Sequence, residues 1–570
     1  MITYRKYKIY TVLTLLVLGI VSCEPELEVE QRDTVSFDAI WSDPANADLF
    51  MNDLYQQMPR MNNDAKHLDQ YADNSHVGAE WFDAKVVLYA GAISPTRVMN
   101  GPGARPYDPN TLPEGLWNWE GRYITIRKTN MFIQNVLASE KLKDDYKKGR
   151  VAEARFLRAL SYQWLWLAYG GVPIITEVLD ISAQGEEVFR ARNTDEETFQ
   201  FIVSELEAIA NDLPLTRTGA DRGRATKGAA LTLKGWVELY AASPLRNTSN
   251  AVSKWQAAAA TNKQVIDLGV YSLFQDFGGI WLPENNNNVE VIFDYQVSKT
   301  KNGGGNREGY FGPAFVNGVQ QAWANYAPTQ ELVDDFAMDN GKTIDDPTSG
   351  YNPQNPYVGR EKRFYQTILY DGSIWQGYPL IMRVGVGSPN EIDLGSKNDV
   401  TNTGYYARKT LDEKILGQDN ISNTNGGQNY IWFRFAEVLL SYAEAQNQAE
   451  GPDASVYDAV NKVRSRSDLP GLPLGLSKEE MRKAIWRERR VEFAFEDKRW
   501  WDVLRWKIAH GPQGVLNNPT HGMYIESVGG VLTYKPVKVT DRVFPERMYL
   551  MPIPIAATNR NAKLEQNPGY

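Results

Sequence analysis

The sequence predicts a mainly α-helical protein, a stack of helix pairs interrupted by one large, loop-rich insertion that contains short strands. Three observations carry this. Apolar residues recur at three-to-four spacing over long stretches toward both ends of the chain. Several of those stretches come as pairs separated by short turns. Between 275 and 430 the helical period disappears under Asn, Gly and Pro, including Asn285 to Asn288 and Gly303 to Gly305.

Each element has its own signal. The first helix reads from Ser42 to Pro59, opening at Asp43-Pro44, with Leu49, Phe50, Leu54 and Tyr55 as its apolar stripe. A polar stretch, 60–115, follows; long segments without structure of their own are usually functional or disordered, so this is a first place to look for a ligand. Residues 117–138 carry Trp117, Tyr123, Ile126, Phe132 and Ile133. Residues 148–169 are apolar on two faces, through Leu157, Leu160, Trp164 and Leu167 on one and Phe156, Ala159, Trp166 and Tyr169 on another. Such a helix packs between neighbours, and Gly170-Gly171 with Pro173 ends it. Further helices read at about 195–212, 224–242, 252–268, 431–449, 453–467 and 477–506, the last opened by a capping box of Ser477 and Glu480. Paired helices of this size point to a solenoid of tetratricopeptide type, although no repeat consensus is legible. Inside the insertion, 289–293 and 367–370 read as strands.

The first 22 residues have the layout of a secretory leader. Arg5, Lys6 and Lys8 precede an apolar run from Tyr10 to Val21, shorter than the about 20 residues that span a bilayer. The run Leu18-Gly19-Ile20-Val21-Ser22-Cys23 resembles the lipobox of bacterial lipoproteins, in which the thiol takes a diacylglycerol and the leader is removed. Cys23 is the chain's single cysteine, so it is the expected lipidation site and no intramolecular disulfide can form. Two or three acyl chains hold a protein stably on a membrane. The acidic segment Glu24 to Glu30 is a solvated tether, and it also resembles the surface-export signal of Bacteroidetes lipoproteins. These signals divide the chain into a leader (1–22), a tether (23–41), an N-terminal helical region (42–274), the insertion (275–430) and a C-terminal helical region (431–570). The net charge of −9 becomes −12 once the leader's three basic residues are removed. That balance argues against nucleic acid, whose phosphates need a basic face.

Taken together, the stretches FLRALSYQWLWLAYGGVPII (156–175), RATKGAALTLKGWVELYAA (224–242), APTQELVDDF (327–336), TGYYARK (403–409), IWFRFAEVLLSYAEAQN (431–447), IWRERRVEFAFEDKRWWDVLRW (485–506) and the terminal QNPGY (566–570) resemble the SusD/RagB family of surface nutrient-binding lipoproteins. Ala556-Ala557 departs from the family's frequent acid after the Ile-Pro pair. The resemblance implies a lipid-anchored protein at the outer face of the outer membrane. It would capture oligosaccharide, or in some members peptide, for a SusC-like TonB-dependent transporter, with no cofactor.

Two polar patterns invite a functional reading. In 485–506 the alternation of Arg487, Glu488, Arg489, Arg490, Glu492, Glu496, Asp497, Arg499, Asp502 and Arg505 with Trp500, Trp501 and Trp506 reads as a mixed-sign ion-pair lattice, with Arg stacked on Trp between helices. Arg434, Glu437, Ser441, Glu444 and Gln448 fall at helical spacing as a polar stripe. Sugar recognition needs an aromatic ring against the C–H face of a pyranose, with amides and carboxylates for the hydroxyls. Loop aromatics beside such groups are the candidates: Trp81 with Asp73 and Asn74 in the N-terminal loop, Trp323, Asn325 and Tyr326 beside Gln320 and Gln321, and Trp375 beside Gln376. Family members place ligand between these same two regions. Trp117, Trp119, Trp281 and Tyr310 stand in reserve. No zinc-protease, serine-hydrolase or P-loop motif is present. The four His (His67, His76, His510, His521) are too scattered to suggest a metal site. A glycoside hydrolase is the competing reading, since some of the 70 acids must fall in pairs.

Overall fold

The computed structural model describes residues 37–58, 68–77, 85, 88–96, 118–298, 307–324, 326–394, 400–415 and 426–570. The leader, Cys23, Trp81, Trp117 and Asn325 lie outside these residues.

Helix α1 (Pro44–Gln56) starts where the sequence places it: Asp43 accepts the Ala45 amide and Pro44 supplies a preset φ. Helices α2 (Trp119–Ala138), α3 (Asp144–Tyr169), α4 (Asp195–Ile209), α5 (Lys227–Ala242) and α6 (Val252–Asp267) follow. Each packs on the next, α2 on α3, α3 on α4, α4 on α5 and α5 on α6, the quasi-one-dimensional stacking of a helical solenoid. The two-faced apolarity of α3 has its expected consequence. Trp164 meets Trp432 and Trp501 edge-on, both at 5.7 Å, while Trp166 lies against Phe199 at 6.0 Å. Gly170 ends α3 with φ +73°, and a Cβ on Gly171 would sit 2.1 Å from the Asn193 carbonyl oxygen.

The stack does not stop at the insertion. Helix α6 packs directly on α8 (Phe435–Glu450), with the short helix α7 (Arg307–Phe311) lying in the excursion between them. Helices α9 (Ala454–Arg466) and α10 (Lys478–Glu492) then pack on α8, and α10 opens on the Ser477–Glu480 capping box. Two boundaries differ from the sequence reading. Residues 430–434 form strand β4 (Tyr430–Arg434), paired antiparallel with β2 (Val291–Tyr295), because Ile431-Trp432-Phe433 suits a buried strand as well as a helix. The expected 477–506 helix breaks after α10 and resumes as α11 (Arg499–Arg505). Between them Phe495 and Asp497 adopt φ +64° and +63°, which a helix cannot contain.

The polar stripe of α8 and the charges of α10 turn inward together. Arg434 donates to Glu290 and Glu492, each at 2.6 Å, and to Glu496 at 2.7 Å. Arg363 bridges Glu361, Glu488 and Glu492, and Arg466 bridges Glu290 and Glu492. All are buried. Burial would push the Glu492 carboxyl up, but the Arg466, Arg434 and Arg363 guanidinium groups hold it well below the usual carboxylate range. Burial pulls the Lys409 ammonium down to about 8 even with Glu496 beside it. A second knot joins Arg505 to Glu444 and Asp502, and Arg489 to Asp502 and Ser441. Arg505 lies 4.7 Å from the Trp506 ring centre. The expected lattice is therefore present, and it lies inside the protein.

The C-terminal tail closes the far end of α3. Asn567 donates to the Tyr169 and Met551 carbonyls at 3.1 and 2.7 Å, and Arg192 ties both Tyr169 and Asn567. A hairpin of β5 (Thr520–Val528) and β6 (Val531–Thr540), turned at Gly529-Gly530, is an element the sequence reading did not anticipate. Arg434→Met removes the cation that Glu290, Glu492 and Glu496 share and leaves each buried-cluster carboxylate under-compensated. We expect a loss of about 3–5 kcal/mol of stability, read as a lowered urea midpoint, and a midpoint within error of the unaltered chain would refute the lattice's structural role.

Candidate functional site

The strained junction between α10 and α11 is the base on which the candidate site is built. The Asp497 carboxylate accepts the Leu68 amide at 2.6 Å, and the Asp497 amide donates to Asp69 at 2.9 Å. Asp69 in turn takes the Asn74 side-chain amide at 2.7 Å. The described part of the N-terminal loop is thus nailed to residues more than four hundred positions away.

Asp73 forms the second anchor. Arg499 grips its two oxygens at 2.7 and 2.8 Å, and Arg490 reaches the same carboxylate at 3.0 Å. Arg490 also holds Asn74 Oδ1 at 3.0 Å and Asp335 at 2.6 Å. Burial opposes ionisation of Asp73, but the Arg490 and Arg499 charges win and hold it well below the usual range. Asp73 and Asn74 are buried and committed to this frame.

From this frame the loop is stitched to the insertion. Strand β1 (Ser75–His76) pairs antiparallel with β3 (Ala327–Pro328). Thr329 donates through its amide to the Asn74 carbonyl at 3.0 Å and through its hydroxyl to the Asp73 carbonyl at 2.6 Å. The two regions singled out in the sequence therefore meet. Tyr326 is the wedge between them, 1% exposed, its ring 4.8 Å from both Phe311 and Phe495. It packs; it does not present a face to solvent.

Trp323 differs. It is half-buried, its amide donates to the Gly309 carbonyl of α7 at 2.7 Å, and the next residue, Ala324, sits at φ +51°. A non-glycine residue in that region stores strain that surrounding structure must hold. Tyr310, on α7, is also half-buried, as are Gln320 and Phe315 of the adjoining hairpin. Asn390 clamps that hairpin with its planar amide, donating to the Phe315 carbonyl at 2.7 Å and accepting from the Phe315 amide at 3.0 Å.

Trp375 is 3% exposed, with Arg408 5.9 Å from its ring centre. Gln376 is spent on Glu413 and the Ile415 carbonyl. Opposite Trp375 in the same short hairpin, Tyr378 is 45% exposed. The sequence reading passed it over, though the Gln376-Gly377 turn was the available signal. Trp119 packs on Tyr123 and Tyr169, each at 5.1 Å. Trp281 lies 4.5 Å from Lys409 and 5.6 Å from Arg434, inside the ion lattice. His76 is buried, with desolvation holding its ring neutral. Among the described residues no cluster of His, Cys, Asp and Glu has a metal-binding arrangement, and no helix is long and apolar enough to cross a membrane.

Comparisons with known proteins agree with this architecture. The sequence model described as the SusD family matches residues 289–570, and one described as starch-binding associating with outer membrane matches 107–238. A SusD-like protein of Formosa agariphila is 26% identical over 68% of this chain and 70% of its own length. A second from that organism is 23% identical over 90% and 94%. A SusD-like protein of Bacteroides fragilis has the same fold, with TM-score 0.77 and 28% identity over 94% of this chain and 99% of its own. A SusD-like carbohydrate-binding protein from B. fragilis superposes at TM-score 0.74 with 24% identity, over 92% and 100%.

The geometry separates frame from face. Asp73→Ala leaves Arg490 and Arg499 without their shared anion, and we expect a loss of about 3–5 kcal/mol. Trp323→Ala, at a half-exposed position, is expected to cost under about 2 kcal/mol. Thermal and urea unfolding check both, and a larger cost at Trp323 than at Asp73 would reverse the assignment. The order of the matched segments and the shared helical stack give one conclusion: the chain belongs to the SusD family.

Proposed function

We propose that the protein is a non-catalytic glycan-binding lipoprotein, anchored through Cys23 to the outer membrane and exposed at the cell surface. It captures oligosaccharides and passes them to a SusC-like TonB-dependent transporter. The observation that carries the binding half is Trp323, half-buried beside Ala324 at φ +51°, while Tyr326, Asp73 and Asn74 are buried in the frame. A side chain on a backbone held by the Trp323–Gly309 hydrogen bond has less freedom to lose on binding, which matters when each sugar contact is weak. Gln320 and Tyr310 lie on the neighbouring hairpin and helix, where they can serve hydroxyls and a second ring. Trp81 and Asn325 remain assigned to the same face on their sequence positions. The carbohydrate-binding description of the B. fragilis relative and the outer-membrane description of the 107–238 match support the reading.

Affinity electrophoresis against a panel of soluble glycans, followed by calorimetry on the best, tests the binding half. Trp323→Ala should weaken that glycan by about tenfold or more, the scale of one lost aromatic contact. No saccharide should be cleaved on prolonged incubation. Unchanged affinity in Trp323→Ala would remove this face, and steady release of shorter products would make the protein a hydrolase. Cys23→Ser should move the protein from the membrane fraction to the soluble one; continued membrane retention would remove the lipid anchor.

A further inference from the structure

A separate cavity lies between the end of α1, the 220–224 loop and the end of β2. It measures about 190 Å³. Ligand pockets of drug size run to about 300–1,000 Å³, so this one has room for a single small residue. Its walls mix apolar and polar groups and come from three distant segments, with Tyr55 and Met58 on one side and Asp294 and Gln296 on another.

The polar groups divide into those already spent and those still open. Arg224 is bound to Glu153 at 3.2 Å, Asn52 at 2.7 Å and Asp221 at 3.2 Å. The Tyr55 hydroxyl donates to Glu153 and accepts the Ala225 amide. These build the wall. Asp294 is 3% exposed and accepts one hydrogen bond on each oxygen, from Gln296 at 2.6 Å and Asn429 at 2.7 Å. Asp294 lines the cavity, and a carboxylate offers about four acceptor sites, so it keeps capacity for a further donor. At the mouth, Arg222 is exposed, and among the described residues its guanidinium makes no hydrogen bond or ion pair. Gly223, at φ +84°, lets the loop approach so closely that a Cβ there would lie 2.4 Å from Gln296 Cγ.

We propose that this cavity is a second binding site, for one carboxylate-bearing polyhydroxylated residue such as a hexuronic acid. The buried Asp294 takes adjacent hydroxyls, and Arg222 takes the carboxylate at the mouth through a paired, charge-assisted contact. A neutral hexose would satisfy Asp294 and leave Arg222 idle. The site draws on none of the residues assigned to the Trp323 face, so its fate is separate from that of the glycan reading.

The test is calorimetry of the full-length mature chain with sodium D-glucuronate and, in parallel, D-glucose. Glucuronate should saturate in the millimolar range, with glucose weaker by about tenfold, the scale of one charge-assisted hydrogen bond. Arg222→Met should remove that preference while cooperative thermal unfolding is retained, because among the described residues the side chain makes no hydrogen bond or ion pair and acts on Asp294 through its charge alone. Trp323→Ala should bind glucuronate as the unaltered protein does. The proposal is overturned if glucuronate fails to saturate by about 50 mM, well past the affinity a single charged contact supplies, if glucose binds equally well, or if Arg222→Met keeps the preference.

Discussion

The structure depends on buried carboxylates held by more than one guanidinium. Glu492 is shared by Arg363, Arg434 and Arg466, and Asp73 is shared by Arg490 and Arg499. Burying an ion costs several kcal/mol unless its partner geometry is excellent and its remaining hydrogen-bond sites are filled. Here the network itself fills most of them, the Arg466 Nε being an exception. Such a cluster is a poor source of net stability against an apolar core, but it tolerates little rearrangement, because displacing one member strands the others. In a stack of similar amphipathic helices, where apolar faces could slide, that intolerance fixes which helix meets which.

The lattice also explains what the segments quoted for family resemblance do. The 431–447 and 485–506 stretches supply Arg434, Glu444, Arg489, Glu492, Arg499, Asp502 and Arg505, all buried. The terminal Gln566-Asn567 caps the end of α3 and ties down residues 551–553. These motifs are scaffold. The face that would meet a ligand is carried by loops hung on the scaffold, and loops can vary while their attachment points do not.

Helix pairing was legible because amphipathic periodicity is a local signal and α3, α5 and α8 bury most of their surface. The break at 493–498 was not, since Phe493-Ala494-Phe495 keeps the apolar pattern and only the backbone conformation at Phe495 and Asp497 ends the helix. The 520–540 hairpin was missed for a different reason: β6 is largely exposed along its length, so it lacks the clean alternation of a half-buried strand. For the site, position along the chain was informative and depth was not. Asp73, Asn74 and Tyr326 do lie where the two loop regions meet, yet Arg490 and Arg499, which draw Asp73 inward, are over four hundred residues away. Nothing local to Asp73 distinguishes a carboxylate that greets a ligand from one that holds up the floor.

The central claim is that the Asp73 anchor fixes the loop and the insertion as one unit. Amide hydrogen exchange on the unaltered chain and on Arg499→Met measures it directly. The account predicts that 68–77 and 326–329 lose protection together in the variant while α3 keeps its own. Unchanged protection in those segments, or loss confined to one of them, would contradict it.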